Sequence, residues 1–455
     1  MRVHLLGICG TFMGGLAMLA RELGHDVSGS DAGIYPPMSD QLRAMGVQLI
    51  DGYSAADLPD GVDLFVIGNA LSRGNEAVEA ILDGQVPYAS GPEWLRRYVL
   101  SGRHVIAVAG THGKTTVSSL VAWLLEASGI DCGFLIGGVP ENFGVSARLG
   151  SASCFVVEAD EYDTAFFDKR SKFLSYLART ALINNLEFDH ADIFDNLGAI
   201  QKQFHHFVRT VPASGKLICA ANSQNIDETL AMGCWSRLES FGSDDECDWR
   251  LLDYDKDSDR LRVRTPSGVE VTGSTSLRGR HNALNSVAAL ALIDDVGIDA
   301  REAIRHLSAF KNVKRRLELK ACVGGIEIYD DFAHHPTAIR ETLSAVEAND
   351  SGGKTIAILE PRSNTMRQGV HRDTLKPALR AADWSLMLGT ESLDWMKGLA
   401  SDETFEVLNS VEQIIKRVLE CAQSGDRIVI MSNGGFDDIH NRLITHLRDK
   451  FDEHN

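Results

Sequence analysis

The run Gly110-Thr111-His112-Gly113-Lys114-Thr115-Thr116 sets two glycines beside an ammonium and two hydroxyls. An apolar stretch, Val105–Val108, precedes it, and a helix-like one, Val117–Leu125, follows. The run therefore reads as the turn between a strand and a helix. Backbone N–H groups of such a turn and of the helix N-terminus face an anion. The Lys114 ammonium can neutralise phosphate, and the Thr115 hydroxyl can hold a magnesium ion. The spacing Gly-x-x-Gly-Lys-Thr is shorter than that of a generic P-loop. An ordinary strand-to-helix turn is the alternative, and it leaves the Lys-Thr-Thr without a purpose.

Two acidic strand ends follow. Phe155–Val157 runs into Glu158, Asp160, Glu161 and Asp163, and Ala181–Ile183 runs into Asn184, Asn185, Glu187, Asp189 and His190. Ligands of open α/β sheets sit at the carboxyl ends of the strands. Two such ends beside a phosphate cradle can bring carboxylate and imidazole to metal-bound phosphates. For His190, a satisfied core histidine is the alternative.

These groups need elements to position them. The segment before residue 104 alternates strands and helices: Val3–Leu6, a helix from Gly14 to Leu23, a strand ending at Val27–Asp31, and Leu64–Ile67. Gly7, Gly10, Gly14 and Gly15 cluster after its first strand, and Ser30 and Asp31 end its second. Those are parts of a nucleotide-binding α/β unit, although turn and packing glycines would look the same. Residues 243–273 are polar and acidic and read as a small β-rich excursion. Asn282 and Asn285 lie at the start of an alanine-rich helix, where asparagine reads an adenine edge or caps the helix. In the last third, Gly325–Tyr329, Thr355–Leu359 and Arg427–Met431 are strands ending in Asp330–Thr337, Glu360–Arg367 and Ser432–Gly435. Three polar clusters at three strand ends imply one ligand-facing rim, with Arg362 and Arg367 suited to carboxylate or phosphate.

The whole chain has 455 residues, too many for one core, and points to two to four domains. The net charge of -18 argues against general binding of nucleic acid or anionic membranes. Eight scattered cysteines with no Cys-x-x-Cys pair fit a reducing compartment. No stretch is apolar enough to span a membrane. Met1–Leu6 reads as a first strand rather than a signal peptide, and a cytoplasmic location is expected.

In order, Gly110–Thr116, Glu158-Ala159-Asp160-Glu161, Asp189-His190, His281-Asn282 and Asp331–Thr337 resemble the Mur ligase superfamily over nearly the whole chain. The N-terminal glycine cluster and Ser30-Asp31 resemble its UDP-N-acetylmuramate branch, and Leu5–Gly15, Tyr35–Ser39, Asn185–Asp192 and Met431–Phe436 are similar to the peptide-recycling ligases of that branch. The resemblance implies an α/β fold of three domains. A Rossmann-like N-terminal domain, 1–103, would hold the UDP-sugar. A P-loop-type central domain, 104–312, would hold ATP. A Rossmann-like C-terminal domain, 313–455, would hold the incoming amine.

The implied activity is ATP-dependent ligation of a recycled tripeptide, L-alanyl-γ-D-glutamyl-meso-diaminopimelate, to UDP-N-acetylmuramate through an acyl phosphate. Addition of L-alanine by the same fold and a non-catalytic nucleotide-binding regulator are the alternatives. Carried over, Lys114 binds the β/γ-phosphates, Thr115 and Glu158 ligate one magnesium, and His190 ligates another. Gly110, Thr111, His112, Gly113 and Thr116 complete the phosphate site, with Asn282 near adenine and Asp331 near ribose. Gly10, Thr11, Met13, Gly14, Gly15, Ser30 and Asp31 are expected at the UDP-sugar. Arg362, Arg367 and His334 are expected at the peptide. Many members of the superfamily carry a carbamylated lysine after the Asp-His motif; the corresponding helix here holds Lys202, and whether that residue is carbamylated is left open by the resemblance.

Overall fold

A computed structural model describes residues 1–34, 38–347, 352–389, 393, 395–396, 399 and 402–452. Tyr35, Pro36 and Pro37 of the Tyr35–Ser39 segment lie outside the described residues.

Three sheets organise the chain. In the first, the order is Gln48–Asp51, Asp26–Asp31, Arg2–Leu6, Leu64–Ile67, Tyr88–Ser90, all parallel. The switch of direction on either side of Arg2–Leu6 creates a crevice at the carboxyl ends of the strands. Arg2–Leu6 is buried from Val3 to Leu6, with Val3 and Leu5 in one core and Leu6 in another.

The central sheet is built on six parallel strands, Arg237–Gly242, Lys216–Ala220, Ala178–Ile183, His104–Ala109, Cys154–Glu158 and Gly133–Leu135. His104–Ala109 lies in the middle and is buried along Val105–Ala109. The helices Lys114–Ala127 and Arg280–Asp294 pack on one face and share one core with it. Residues 243–273 are less of an excursion than expected. Trp249–Asp255, Arg260–Arg264 and Glu270–Ser274 continue the central sheet by three strands, and their alternate residues join its core.

The third sheet runs Glu318–Val323, Ile326–Asp331, Arg427–Met431, Thr355–Leu359, Trp384–Leu388, Phe405–Leu408, with only the first strand antiparallel. The three strands expected to form a rim are therefore immediate neighbours, and their polar ends lie side by side. The segment entering this sheet holds Asn312, Arg315 and Leu317 at φ of 70°, 63° and 49°. Side chains avoid that region, so three such residues mark a strained linker. Among the described residues, no helix is long and apolar enough to cross a membrane.

Candidate active site

A cleft of about 1470 Å³ meets all three sheets. Thr11 and Phe12 line it from the first, Lys114 and Glu158 from the second, His334 and Arg362 from the third.

The turn expected to cradle phosphate forms because two glycines take conformations that side chains rarely adopt. Gly110 has φ +139° and Gly113 φ +77°. A Cβ on Gly113 would lie 2.7 Å from Asn184 Nδ2. Asn184 Nδ2 donates to the His112 carbonyl at 3.1 Å, and the His112 N–H donates to Asn185 Oδ1 at 2.7 Å. The two asparagines after Ala178–Ile183 thus fix the turn after His104–Ala109. Gly113 then opens the helix Lys114–Ala127 with no side-chain cap, which leaves its first N–H groups toward the cleft.

Lys114 Nζ donates to Glu161 Oε2 at 2.8 Å, and Glu161 Oε1 lies 2.9 Å from His190 Nε2. Burial works against all three charges. The Glu161 charge nevertheless holds Lys114 above its ordinary pKa, with Asp160 adding to it. Burial is outweighed at His190 as well, where the Glu161 hydrogen bond and charge raise the imidazole. Asp160, Glu161 and His190 offer three ligand atoms within 4.8 Å of one another.

Beside them, Glu158 accepts from the Thr115 hydroxyl at 2.9 Å and from the Gly137 N–H at 2.7 Å. Burial pushes its pKa up despite those donors. A carboxylate kept buried with only partial compensation fits a hard cation, as does the oxygen-rich donor set. Thr115, Glu158 and His190 are thus brought to one wall, with Glu161 and Asp160 added. Lys172 Nζ, 8% exposed, donates to Asp160 Oδ2 at 2.9 Å and lies against Phe12 and Tyr162. Arg316 Nη2 reaches Thr115 Oγ1 at 3.3 Å from the linker. Sequence reasoning missed both residues. Lys172 has no local signal, whereas the basic run Lys314-Arg315-Arg316 was visible.

The remaining expected positions divide. Asn282 and Asn285 line the cleft, and Asn285 Oδ1 accepts from Asn184 Nδ2 at 3.1 Å. Asp331 also lines it, but its carboxylate already accepts from the Leu317 and Ala333 N–H groups and the Thr342 hydroxyl. In the first domain, Gly10 donates its N–H to the Gly7 carbonyl and Gly14 its N–H to the Gly10 carbonyl. A Cβ on Gly14 would lie 2.3 Å from Met38 Sδ, and one on Gly15 2.3 Å from Leu135 Cδ1. Gly14 and Gly15 are therefore packing positions, and the second seats the first domain on the central one. Met13 is buried beside them.

Ser30 is buried with its hydroxyl 2.9 Å from His4 Nε2. Asp31 accepts from the Cys9 and Gly33 N–H groups and shapes the glycine turn. Of this set, Thr11 faces the cleft. Arg362 lines the cleft and packs on Gly434, while Arg367 is exposed on the short helix Asn364–Arg367, away from the lining residues. Lys202 is exposed on the solvent face of Leu197–Val208, so the helix turns it away from the cleft.

The central and C-terminal sheets are tied across the cleft. Thr365 Oγ1 donates to Asp189 Oδ1 at 2.8 Å and accepts from the Ala191 N–H at 3.2 Å. Thr337 Oγ1 donates to Glu187 Oε2 at 2.7 Å, and Asn364 Nδ2 to Asp192 Oδ2 at 3.1 Å. His334 Nε2 stands 3.8 Å from Asp189 Oδ2. All four bonds reach the loop that carries His190.

Three family models cover the chain. The Mur ligase family catalytic domain matches residues 2–102, the Mur ligase middle domain 108–293, and the Mur ligase glutamate ligase domain 315–434. The chain is 50% identical over 454 residues to the UDP-N-acetylmuramate--L-alanyl-gamma-D-glutamyl-meso-2,6-diaminoheptandioate ligase of Escherichia coli (strain K12), covering 99% of each. It is 32% identical over 444 residues to a UDP-N-acetylmuramate--L-alanine ligase of Clavibacter sepedonicus, covering 95% of this chain and 90% of that one. A crystal structure of a murein peptide ligase from Psychrobacter arcticus 273-4 superposes with a TM-score of 0.77 at 45% identity, covering 98% and 99% of the two chains. The cradle, the acidic strand ends and the three sheets are thus those of a known lineage, and the chain belongs to the Mur ligase family.

Proposed function

We propose that this protein joins the tripeptide L-alanyl-γ-D-glutamyl-meso-diaminopimelate to UDP-N-acetylmuramate at the expense of ATP, as a ligase of peptidoglycan recycling. The observation that carries the reading is one cleft that receives polar strand ends from all three sheets. A three-substrate ligation needs such a meeting place. Identity of 50% over the whole chain with a tripeptide ligase, against 32% with an alanine-adding one, favours the peptide over the single amino acid. The domain limits 1–103, 104–312 and 313–455 belong to this reading and are supported by the residue ranges of the sheets. Substrates of this kind and eight free thiols support a cytoplasmic location.

The chemistry takes two steps. The muramyl carboxylate oxygen attacks the γ-phosphorus of ATP, the bond to the β,γ-bridging oxygen breaks, and ADP leaves with an acyl phosphate formed. The neutral peptide amine then attacks the acyl carbon and phosphate departs with its electron pair. The obstacle in the first step is an anion approaching a polyanion, so the barrier is charge and positioning. Lys114 and Arg316 supply fixed positive charge, and the uncapped turn before Lys114 supplies N–H donors. Thr115 and Glu158 would hold one magnesium ion, and His190 with Glu161 and Asp160 another. Bound there, magnesium neutralises developing charge on the phosphates. Asn282 and Asp331 flank the adenosine in this reading, and Arg362 takes a peptide carboxylate.

Incubation with ATP, magnesium, UDP-N-acetylmuramate and either the tripeptide or L-alanine, followed by mass analysis, tests the reading. The tripeptide adduct with stoichiometric phosphate is the expected product. An L-alanine adduct alone would transfer the protein to the alanine-adding branch.

A further inference from the structure

Away from the Lys114–Glu161–His190 wall, a second cluster joins the phosphate turn to the C-terminal domain. His112, Glu187 and His335 bring one ligand atom each within 4.8 Å of one another. His112 Nε2 lies 3.5 Å from Glu187 Oε2, and His335 Nδ1 lies 3.4 Å from the same oxygen. Two donors each about 2.0–2.1 Å from a tetrahedral zinc ion stand roughly 3.4 Å apart. The two separations from Glu187 are therefore those of a tetrahedron's edges, and the third donor pair lies within 4.8 Å.

Hydrogen bonding accounts for only part of the arrangement. His112 Nε2 is buried and has no hydrogen-bond partner. His335 Nδ1 accepts one long hydrogen bond, 3.3 Å from the Thr337 N–H, which a metal ion at that nitrogen would displace. The rings of His112 and His335 are 4.4 Å apart, and a third imidazole, His371, packs edge-on against His335 at 4.5 Å with its own buried Nε2 unpartnered. The supporting bonds are those a metal ligand needs: Thr337 Oγ1 orients Glu187, and Asn185 holds the backbone of His112.

We infer that His112, Glu187 and His335 form a site for a borderline divalent metal ion of the zinc type, bridging the phosphate turn and the C-terminal domain. Two imidazoles and one carboxylate suit zinc or cobalt and not magnesium, which prefers oxygen ligands. His112 and His335 line the cleft, so an ion has a route in, and water or a cleft ligand completes its shell. Because the ligands come from two domains, the ion fastens them in this arrangement. This site is separate from the magnesium positions of the ligation reading and stands or falls without it.

The test uses cobalt as the probe on the full-length chain carrying His190→Ala, which removes the other nitrogen-containing cluster. One equivalent of Co2+ should bind with the visible absorption of a four-coordinate ion. His335→Ala and Glu187→Gln, each added singly, should weaken that binding by at least about tenfold and remove the band. Zinc should raise the melting temperature of the His190→Ala protein and not that of the added variants. Circular dichroism confirms that each variant is folded, and Glu187→Gln keeps the shape of its side chain. Absence of the band before the second substitution, or a band unchanged by both substitutions, overturns the inference. Ligation assays on the unsubstituted protein judge the functional reading independently.

Discussion

Lys114 carries its counter-charge with it. Glu161, 2% exposed, holds the ammonium, and in the proposed ATP site a phosphate would take its place. Lys114→Ala should lower kcat by about 10²–10³, the loss typical of one preorganised group at a developing charge. It should also cost stability, which its place beside a ligand would not have implied. The cost stays below the ~3–5 kcal/mol of a stranded buried charge, because His190 still faces Glu161. Lys114→Met with Glu161→Gln should recover the stability and not the rate, read by urea melts beside steady-state kinetics.

A second residue gives a pH signature. Burial, with the Glu187 charge behind it, raises the Glu341 carboxyl to about 7. The folded protein then binds a proton that the unfolded chain has lost, so stability falls as pH rises from the ordinary carboxyl range through about 7. The ceiling on this effect is roughly 3 kcal/mol at about 1.36 kcal/mol per unit. Glu341→Gln should flatten that part of the profile and stabilise the protein at pH 8. Urea midpoints at pH 5 and pH 8 check it, and an unchanged slope would refute the assignment.

At the scale of elements, the strand-to-helix turn depends on Gly113. Gly113→Ala forces a side chain into φ +77° and against Asn184 and Asn285. A loss of about 1–3 kcal/mol of stability is expected, with weaker ATP binding, measured by melting and nucleotide titration. Such turns were legible because glycine, lysine and hydroxyl residues stand together in sequence. Leu64–Ile67, Thr355–Leu359 and Arg427–Met431 were legible to the residue because short apolar runs end at polar ones. The three-strand extension of the central sheet was less so, since only alternate residues of Arg260–Arg264 are buried. The glycines after Arg2–Leu6 show the limit of local reading. A glycine that admits a ligand and one that admits Met38 or Leu135 look alike until the partner's position is known. Lys172 and His371 reach their sites only through tertiary packing, and no neighbour in sequence marks them.

On the scale of the whole molecule, the proposed ligation gives the C-terminal rim the choice of amine. The tripeptide should be used with much higher kcat/KM than L-alanine, because its extra carboxylates help to position the attacking nitrogen. Arg362→Ala should raise the KM for the peptide by about tenfold or more, the worth of a charge-assisted pair. UDP-N-acetylmuramate affinity should hardly change, which calorimetry would verify. Loss of UDP-sugar affinity would mean that the two substrates have been exchanged.

The bonds from Thr365, Thr337 and Asn364 to the loop of Asp189 have a kinetic consequence. They share one loop, so they would break together if the C-terminal sheet swung away on its strained linker, the motion predicted here. Products enclosed by the cleft leave only after that swing, and the swing pushes solvent aside over a broad face. Turnover paced in this way feels friction from the medium. With saturating substrates, kcat should fall in proportion to relative viscosity in sucrose. The slope should shrink in Thr365→Val, whose linker opens more freely, and a kcat indifferent to viscosity would place the slow step in bond making instead.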